Sequence, residues 1–249
     1  MTQAPDFHLN GLLDTGCALF LDFDGTLVEL APEPDAIVIP PELVPMLAAL
    51  RERLGGAVAV VSGRAVSALD TFLHPLDMPA AGVHGSERRA ADGHLVLLPT
   101  PSLDTVERAA AKLLRDQPAL AVEPKRGALA LHYRRAPHLE ALCRQTMEEA
   151  VAASPGVSLL HGKMVFEAKS SQANKGLAIA SFMEEPPFAG RRPVFLGDDT
   201  TDEPGFSVVQ NLGGAGIKVG QGPTLANHRV AGPGVLRAAF LDWIAAYPV

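Results

Sequence analysis

Two aspartates, Asp22 and Asp24, stand near the end of the segment LFLDFDGTL. The apolar residues before them predict a buried strand, and side chains at positions i and i+2 of a strand point the same way. Both carboxylates would then reach one site at the carboxyl end of the strand, where Gly25 permits a sharp turn. Because adjacent carboxylates repel, the pair predicts a cation between them, and Mg²⁺ is the natural candidate. The alternative is a solvated turn, since Asp and Gly are ordinary turn residues.

A second acidic cluster follows another apolar run, in VFLGDDTTDE at residues 194–203. Parallel strands that end in carboxylates bring them to the same edge of a sheet. Asp198, the first residue past the strand, is the predicted further ligand of the metal ion. Asp199 and Asp202 are predicted to contact the ligands rather than the ion. Helix capping is the alternative role for residues 200–202.

Two further segments offer groups for an anion. The strand-like run AVAVV is followed by Ser62, Gly63 and Arg64, where a hydroxyl and main-chain N–H groups can hold phosphoryl oxygens. Lys175 stands at the start of a predicted helix, where a cation is unfavourable unless an anion lies nearby. An ordinary surface lysine is the alternative for Lys175.

Together these groups are typical of phosphoryl transfer. Asp22 would attack phosphorus and form an aspartyl phosphate. Asp24 would protonate the leaving oxygen and later take a proton from the hydrolytic water. Mg²⁺, Ser62 and Lys175 would orient the phosphoryl group and offset its charge, which is where most catalysis of this transfer lies.

The elements that must position these groups follow from short apolar runs that alternate with helical patterns. Buried strands are predicted at 17–23, 57–61, 80–83, 194–196 and 214–219, and helices at 41–54, 67–73, 174–183 and 234–247. This alternation is typical of a parallel sheet covered on both faces. The stretch 91–170 differs, because its order of strand, helix, strand, strand, helix, strand, strand indicates an α+β sheet of its own. The strands of that stretch are predicted at 95–98, 120–123, 128–133, 157–160 and 164–168, and its helices at 103–115 and 138–153.

In order and spacing, the segments resemble the four motifs of the haloacid dehalogenase-like (HAD) phosphatases. The matching residues are Asp22 and Asp24 in DFDGT, Ser62 in SGR, Lys175, and Asp198 in GDDTTD. The resemblance implies an α/β fold with a Rossmann-like parallel-sheet core at 1–90 and 171–249, and an inserted α/β cap of the C2B type at 91–170. It also implies an aspartyl-phosphate route and Mg²⁺, with the main-chain carbonyl of Asp24 as a further ligand. Thr26 and Arg64, in the same motifs, are predicted to bind substrate.

A narrower resemblance, to the trehalose-6-phosphate phosphatases, rests on GVHGSE, VEPKRGALALHYR and GKMVFEAKSSQANKG. It implies hydrolysis of trehalose 6-phosphate to trehalose and phosphate, with the cap closing over the substrate. The residues that it assigns to substrate binding are Glu123, Lys125 and Glu167, with His84, Gly85, Arg126 and Lys163 as further contributors. A phosphatase for another sugar phosphate, such as sucrose phosphate or a hexose phosphate, is the alternative enzyme. A non-catalytic sugar-phosphate sensor is a different hypothesis, although binding alone has no need for a nucleophile paired with an acid.

The cap segments also contain a polar strand face, which is predicted from the alternation of side chains without any family resemblance. Alternation places Lys163, Val165, Glu167 and Lys169 on one face of a predicted strand. Carboxylates that accept and lysines that donate hydrogen bonds suit sugar hydroxyls. The alternative is the solvated face of an ordinary antiparallel sheet.

Bulk composition narrows the class of partner. The chain of 249 residues carries a net charge of −7, which offers no basic surface for nucleic acid or anionic lipid. Two cysteines make a disulfide framework improbable, and no apolar run is long enough to cross a bilayer. The first residues have no basic segment followed by an apolar one, so no signal peptide is predicted. We therefore expect a cytoplasmic monomer that acts on a small molecule.

Overall fold

The computed structural model describes residue 9, residues 11–31 and residues 36–247. The chain divides into two compact units. The first, here called the core unit, comprises the residues up to Val96 and those from Lys175 onward, and the second, the inserted unit, is Leu97–Asn174. These limits differ by a few residues from the predicted limits at 90/91 and 170/171.

The strands number as follows along the chain. They are β1 Cys17–Leu21, β2 Val58–Val61, β3 Ala80–Gly82, β4 Glu87–Arg89, β5 Leu95–Leu97, β6 Ala121–Lys125, β7 Ala128–His132, β8 Val157–Gly162, β9 Val165–Ser170, β10 Arg192–Gly197, β11 Ala215–Val219 and β12 His228–Val230. In the described part of the chain, an eight-stranded sheet has the order β12-β11-β10-β1-β2-β3-β4-β5. Its strands from β12 to β3 are parallel, and β4 is antiparallel to β3.

Helices cover both faces of this sheet. The α-helices are α1 Leu43–Arg53, α2 Val66–Leu73, α3 Asp104–Asp116, α4 Glu140–Ala152, α5 Lys175–Met183, α6 Glu203–Asn211 and α7 Pro233–Ala246. Alternate residues of β1 lie in the hydrophobic clusters on opposite faces of the sheet. Leu19 belongs to the cluster that contains Trp243 of α7, and Phe20 packs against Phe182 of α5 in the other. A parallel sheet buried in this way explains why its strands are apolar throughout. Among the described residues, no helix combines the length and the apolar character needed to cross a membrane.

The inserted unit contains a four-stranded antiparallel sheet in the order β6-β7-β9-β8. Residues of α3 and α4 cover one face, where Val106 and Met147 pack with Leu131 and Phe166 of the sheet. The predicted α/β fold, a parallel-sheet core with an inserted α/β unit, is therefore confirmed.

The segment around Leu95 is a correction to the prediction. It was assigned to the sheet of the cap, but β5 adjoins β4 at the edge of the core sheet. A tight turn at Gly93, whose φ is +87°, brings the chain back along β4, and the N–H of Ala90 donates to the carbonyl of His94 at 2.9 Å. The apolar character of Leu95 alone does not distinguish pairing with the core sheet from pairing with the sheet of the inserted unit.

Helix α6 is the longest element that the sequence patterns did not predict. Pro204 and Gly205 near its start are helix breakers in most positions. Proline is accepted in the first turn, because the N–H that it lacks has no partner there. Gly205 is needed for packing, since a Cβ at this position would lie 2.4 Å from the Phe195 ring.

Candidate active site

Asp22 follows β1 directly and is only 3% exposed. Its N–H donates to the carbonyl of Leu196 in β10 at 2.9 Å, which holds the main chain at the carboxyl edge of the sheet. The Thr26 hydroxyl donates to Asp22 Oδ2 at 3.2 Å, and Lys175 Nζ donates to Oδ1 at 2.7 Å. Burial raises the pKa of Asp22 well above its usual range, and the charge of Asp202 adds to this effect while that of Lys175 opposes it. The carboxylate is thus oriented from two sides.

Lys175 is the first residue of α5, and it is buried. Its ammonium bridges two carboxylates, with Nζ 2.7 Å from Asp22 Oδ1 and 2.6 Å from Asp202 Oδ1. Burial by itself lowers the pKa of Lys175, but Asp202 and Asp22 outweigh this and hold the pKa above its usual value. These carboxylates are the anionic neighbours that a lysine at a helix N-terminus requires.

Asp202 organises the turn after β10. Its Oδ2 accepts hydrogen bonds from the N–H groups of Asp198 and Asp199, both at 3.0 Å. Asp199 in turn caps the 3-10 turn that follows, with Oδ1 2.8 Å from the N–H of Thr200. Capping, the alternative weighed for residues 200–202, therefore applies to Asp202, and the structure adds Asp199 as its partner in a capping box. Asp202 is also completely buried and bound to Lys175, so it joins the turn to α5.

Carboxylate oxygens of Asp22, Asp198 and Asp202 lie within 4.8 Å of one another. The three carboxylates are opposed by the ammonium of Lys175, which contacts two of them, and by the charge of Lys218 near Asp198, so negative charge remains in excess. The Asp198 carboxylate lies against Gly25, where an added Cβ would be 2.2 Å from Oδ2. Hard oxygen donors with uncompensated charge fit a Mg²⁺ ion. The residues present are therefore suited to the predicted metal.

The carboxylate of Asp24 is not in this group. It forms a bidentate ion pair with Arg64, at 2.7 and 2.8 Å. The guanidinium also lies over the Phe72 ring, 5.0 Å from its centroid, and the N–H of Arg64 donates to Ser62 Oγ at 3.2 Å. The SGR segment is thus joined to the DFDGT segment. Strand β1 ends before Asp22, so the rule that side chains at i and i+2 point the same way does not extend to Asp24.

His84 and Gly85 lie in a left-handed turn after β3. Val83, His84 and Gly85 all have positive φ, at 47°, 54° and 102°. For a β-branched residue such as Val83 this conformation is uncommon and requires support from its surroundings. The N–H of His84 donates to the Ser62 carbonyl at 2.9 Å, and the His84 ring packs on Gly63, where a Cβ would lie 2.7 Å from the ring. This turn therefore supports the SGR loop.

The inserted unit has a polar sheet face opposite its hydrophobic cluster. Lys125 Nζ is 3.1 Å from Glu167 Oε2 and 3.9 Å from Glu123 Oε1. His132 Nε2 is 2.9 Å from Glu123 Oε2, and this hydrogen bond, with the charge of Lys125, holds the pKa of Glu123 below its usual value. Glu167 is only 4% exposed. The structure thus brings Glu123, Lys125 and Glu167 together and adds His132 to them.

Arg126 and Lys163 lie in turns, outside the strands that carry that group. Arg126 is exposed in the turn between β6 and β7, and Lys163 is exposed in the turn between β8 and β9. The strand register places these turns at opposite ends of β7. The predicted place of Lys163 on the strand face is wrong, because Met164 has a φ of +64° and β9 begins only at Val165.

The chain matches the family model described as trehalose-phosphatase over residues 20–233. The chain belongs to the trehalose-phosphatase family. It is 42% identical to "Trehalose-6-phosphate phosphatase" of Escherichia coli K12 over 234 residues, which cover 93% of this chain and 86% of the relative. The resemblance seen in the sequence motifs is confirmed, and with it the assignment of the chain to the phosphatases.

Solved structures agree with this family assignment. A trehalose-6-phosphate phosphatase related protein superposes with a TM-score of 0.77 at 29% identity, covering 92% of this chain and 97% of its own. A HAD-superfamily phosphatase of Bacteroides thetaiotaomicron has a TM-score of 0.63 at 16% identity, covering 91% and 94% of the two chains. At that identity the second similarity concerns the fold alone.

Lys218 is a site residue that sequence reasoning missed in this member of the trehalose-phosphatase family. It lies in β11, is buried, and donates a hydrogen bond from Nζ to the main-chain carbonyl of Asp198. A lone charged residue inside the apolar run GAGIKV was the available signal. Such a residue requires a partner when the strand is buried.

Gly25→Ala is expected to disturb the acidic group. The substitution meets two costs, a positive φ of +79° and a Cβ only 2.2 Å from Asp198 Oδ2. We expect the free energy of unfolding to fall by about 3 kcal/mol and Mg²⁺ binding to weaken. Urea denaturation and Mg²⁺ titration measure these effects.

Gly190→Ala is the matched control for this prediction. Gly190 has a φ of +76°, and an added Cβ would have no neighbour within 4 Å. It therefore carries the backbone cost alone, about 1 kcal/mol. Equal losses in the two variants would show that the contact with Asp198 contributes nothing.

The carboxyl of Asp198 makes the metal-free protein sensitive to pH. Burial, followed by the charge of Asp202, raises the pKa of Asp198 to about 6, against the opposing charge of Lys175. Because the folded state binds this proton more tightly, the stability it contributes is present at pH 4 and is lost as pH rises through 6. In EDTA, Asp198→Asn should therefore gain about 1 to 2 kcal/mol relative to the parent protein between pH 4 and 7. Urea denaturation across this range tests the prediction, and a difference that does not vary with pH would contradict it.

Proposed function

We propose that the protein hydrolyses trehalose 6-phosphate to trehalose and inorganic phosphate, in a Mg²⁺-dependent reaction that passes through an aspartyl phosphate on Asp22. The observation that carries this proposal is the clustering of Asp22, Lys175, Asp198 and Asp202 in a member of the trehalose-phosphatase family. The similarity to the trehalose-6-phosphate phosphatase of Escherichia coli K12 supports the choice of substrate. The predictions of a monomer and of a cytoplasmic location stay predictions.

Asp22 is the proposed nucleophile. Hydrogen bonds from Thr26 and Lys175 to its two oxygens restrict the rotation of the carboxylate, which favours one direction of attack. Attack on phosphorus forms the Asp22 Oδ–P bond and breaks the bond from phosphorus to the sugar oxygen. The Lys175 ammonium offsets negative charge on the phosphoryl oxygens in this step.

Mg²⁺ would be held by carboxylate oxygens of Asp22 and Asp198 and by the main-chain carbonyl of Asp24. When bound, the ion supplies positive charge against the phosphoryl oxygens and fixes their direction. The two oxygens of Asp202 are taken by Lys175 and by the N–H groups of Asp198 and Asp199. Asp202 therefore holds Lys175 and the turn of Asp198 in place instead of contributing a metal ligand.

Asp24 is the proposed acid and base. It gives a proton to the leaving sugar oxygen and later accepts one from the water that attacks the aspartyl phosphate. That water adds its oxygen to phosphorus, and the carboxylate of Asp22 leaves unchanged. In the structure both oxygens of Asp24 accept hydrogen bonds from Arg64, so Asp24 can carry the proton only when Arg64 turns from it to the anionic phosphoryl group of the substrate. Arg64 is therefore also a candidate partner for a phosphoryl oxygen.

The polar face of the inserted unit is the proposed source of sugar specificity. Glu123 and Glu167 offer acceptors and Lys125 offers a donor within one hydrogen-bonded cluster. Sugar hydroxyls both donate and accept, so such a cluster can bind several of them at once. A site that satisfies its buried polar groups only with the correct sugar discriminates strongly against ligands that lack those hydroxyls.

A phosphate-release assay over several sugar phosphates tests the proposed function. Trehalose 6-phosphate, sucrose 6-phosphate and glucose 6-phosphate are compared, each with Mg²⁺ and with EDTA. We expect release that depends on Mg²⁺ and a kcat/KM that is highest for trehalose 6-phosphate. A kcat/KM for trehalose 6-phosphate no higher than for glucose 6-phosphate would overturn the substrate assignment. Undiminished activity in EDTA would overturn the role of the metal.

A further inference from the structure

Lys218 is a cation buried within a sheet. It is 4% exposed, and its neighbours in β11, Ile217 and Val219, belong to the hydrophobic cluster on one face of that sheet. Removing an ammonium from water costs several kcal/mol unless hydrogen bonds replace its hydration. A lysine in this position therefore needs a specific acceptor, and the contact that it makes has a strong effect on the geometry of its partner.

The sheet register directs Lys218 toward the turn that carries Asp198. Lys218 lies opposite Gly197, the last residue of β10, and its Nζ donates to the carbonyl of Asp198, the next residue along the chain. The N–H of the same residue is already bound by Asp202 Oδ2 at 3.0 Å. Both main-chain polar groups of Asp198 are thus held by buried charged side chains, the N–H by Asp202 of the same turn and the carbonyl by Lys218 of β11.

There is little room for this turn to relax. An added Cβ at Gly197 would lie 2.3 Å from Asp202 Cγ, so the main chain here is in contact with the buried carboxyl group. On the other side, the Asp198 carboxylate lies against Gly25. With its N–H and its carbonyl both held, Asp198 keeps its carboxylate directed toward Asp22.

We propose that Lys218 is a positioning residue for the metal site, which holds the main chain of Asp198 so that its carboxylate is already in place to bind Mg²⁺. This inference rests on the proposed function, in which Asp198 is a metal ligand. Two effects of Lys218 on the metal have opposite signs. Its charge repels a cation, whereas its hydrogen bond orients a ligand. The orienting effect dominates because the ammonium is bound to the carbonyl and is part of the support of the ligand.

Lys218→Met tests which effect dominates. Methionine has a similar length and suits a buried site, but it has neither charge nor donor. We expect the Kd for Mg²⁺, measured by isothermal titration calorimetry on the full chain without substrate, to rise about tenfold. We expect kcat at saturating trehalose 6-phosphate to fall and to recover in part at high Mg²⁺. Lys112→Met, an exposed lysine on α3, is the control and should leave both quantities unchanged.

A Mg²⁺ affinity that is unchanged, or that increases because a repelling charge has been removed, would overturn the proposal. A lower Tm with unchanged Mg²⁺ affinity would mean that Lys218 only stabilises the fold. If Lys218→Met fails to fold, the same Mg²⁺ titration is made on Lys218→Gln, whose uncharged side chain is shorter but retains a donor. A weaker Mg²⁺ affinity than in the parent protein then supports the proposal, and an unchanged or higher affinity overturns it. Failure of the parent protein to bind Mg²⁺ would instead contradict the proposed function.

Discussion

Asp22→Asn is expected to abolish turnover, with a loss in kcat of about 10⁴-fold or more, while the protein remains folded. An amide has the shape of the carboxylate but is not a nucleophile toward phosphorus. Its oxygen can still accept from Lys175, and its NH₂ group can donate to Thr26. Because burial raises the pKa of Asp22, the neutral amide should not lower the stability of the metal-free protein. Phosphate release and thermal unfolding measure the two parts of this prediction.

The control for this substitution is Asp242→Asn, on the exposed side of α7. It makes the same chemical change away from the site and should retain full activity. Near-normal activity of Asp22→Asn would refute the nucleophile assignment and the aspartyl-phosphate route with it. The parent protein in the same assay tests the sensor hypothesis, because a sensor would bind trehalose 6-phosphate without releasing phosphate.

Glu167→Gln is expected to remove most of the sugar specificity. Glu167 is a buried carboxylate that accepts a hydrogen bond from Lys125 at 3.1 Å, and glutamine keeps its size while removing its charge. Losing a charged acceptor at such a site corresponds to about 2 to 3 kcal/mol, or roughly 30- to 150-fold. We expect this loss in kcat/KM for trehalose 6-phosphate and a much smaller change for p-nitrophenyl phosphate, which has no sugar.

Comparing the two substrates separates specificity from general damage. Glu148→Gln, at an exposed position on α4, is the control and should leave both activities as they are. If Glu167→Gln lowers both activities equally, the residue supports the fold or the chemistry in general. If neither activity changes, the polar face of the inserted unit does not bind the sugar.

The positions of the acidic clusters could be predicted from the sequence because parallel strands share one carboxyl edge. Asp22 and Asp198 follow apolar runs that become β1 and β10, and these strands pair residue by residue from Cys17 and Arg192 onward. The same reasoning could not place Leu95, because a three-residue apolar strand can pair with either sheet. The turn at Gly93 decided that point.

Side-chain direction beyond a strand end was the least predictable feature of the site. Asp24 lies only two residues from Asp22, but its carboxylate pairs with Arg64, which arrives from the end of β2. Lys163 lies two residues before Val165, but a left-handed Met164 places it in a turn. In both cases the alternation of side chains holds only where the backbone is extended.

The sequence by itself determined the layered α/β fold, the inserted unit, the edge of the sheet where the acids lie, and the family to which the chain belongs. Apolar periodicity and short motifs are local, so they can be recognised without knowing what lies nearby in space. Only the tertiary structure decided that Lys175 bridges Asp22 and Asp202, and that Lys218 reaches the carbonyl of Asp198. These contacts join residues distant along the chain, and a buried charge takes whichever partner the packing brings within hydrogen-bond distance.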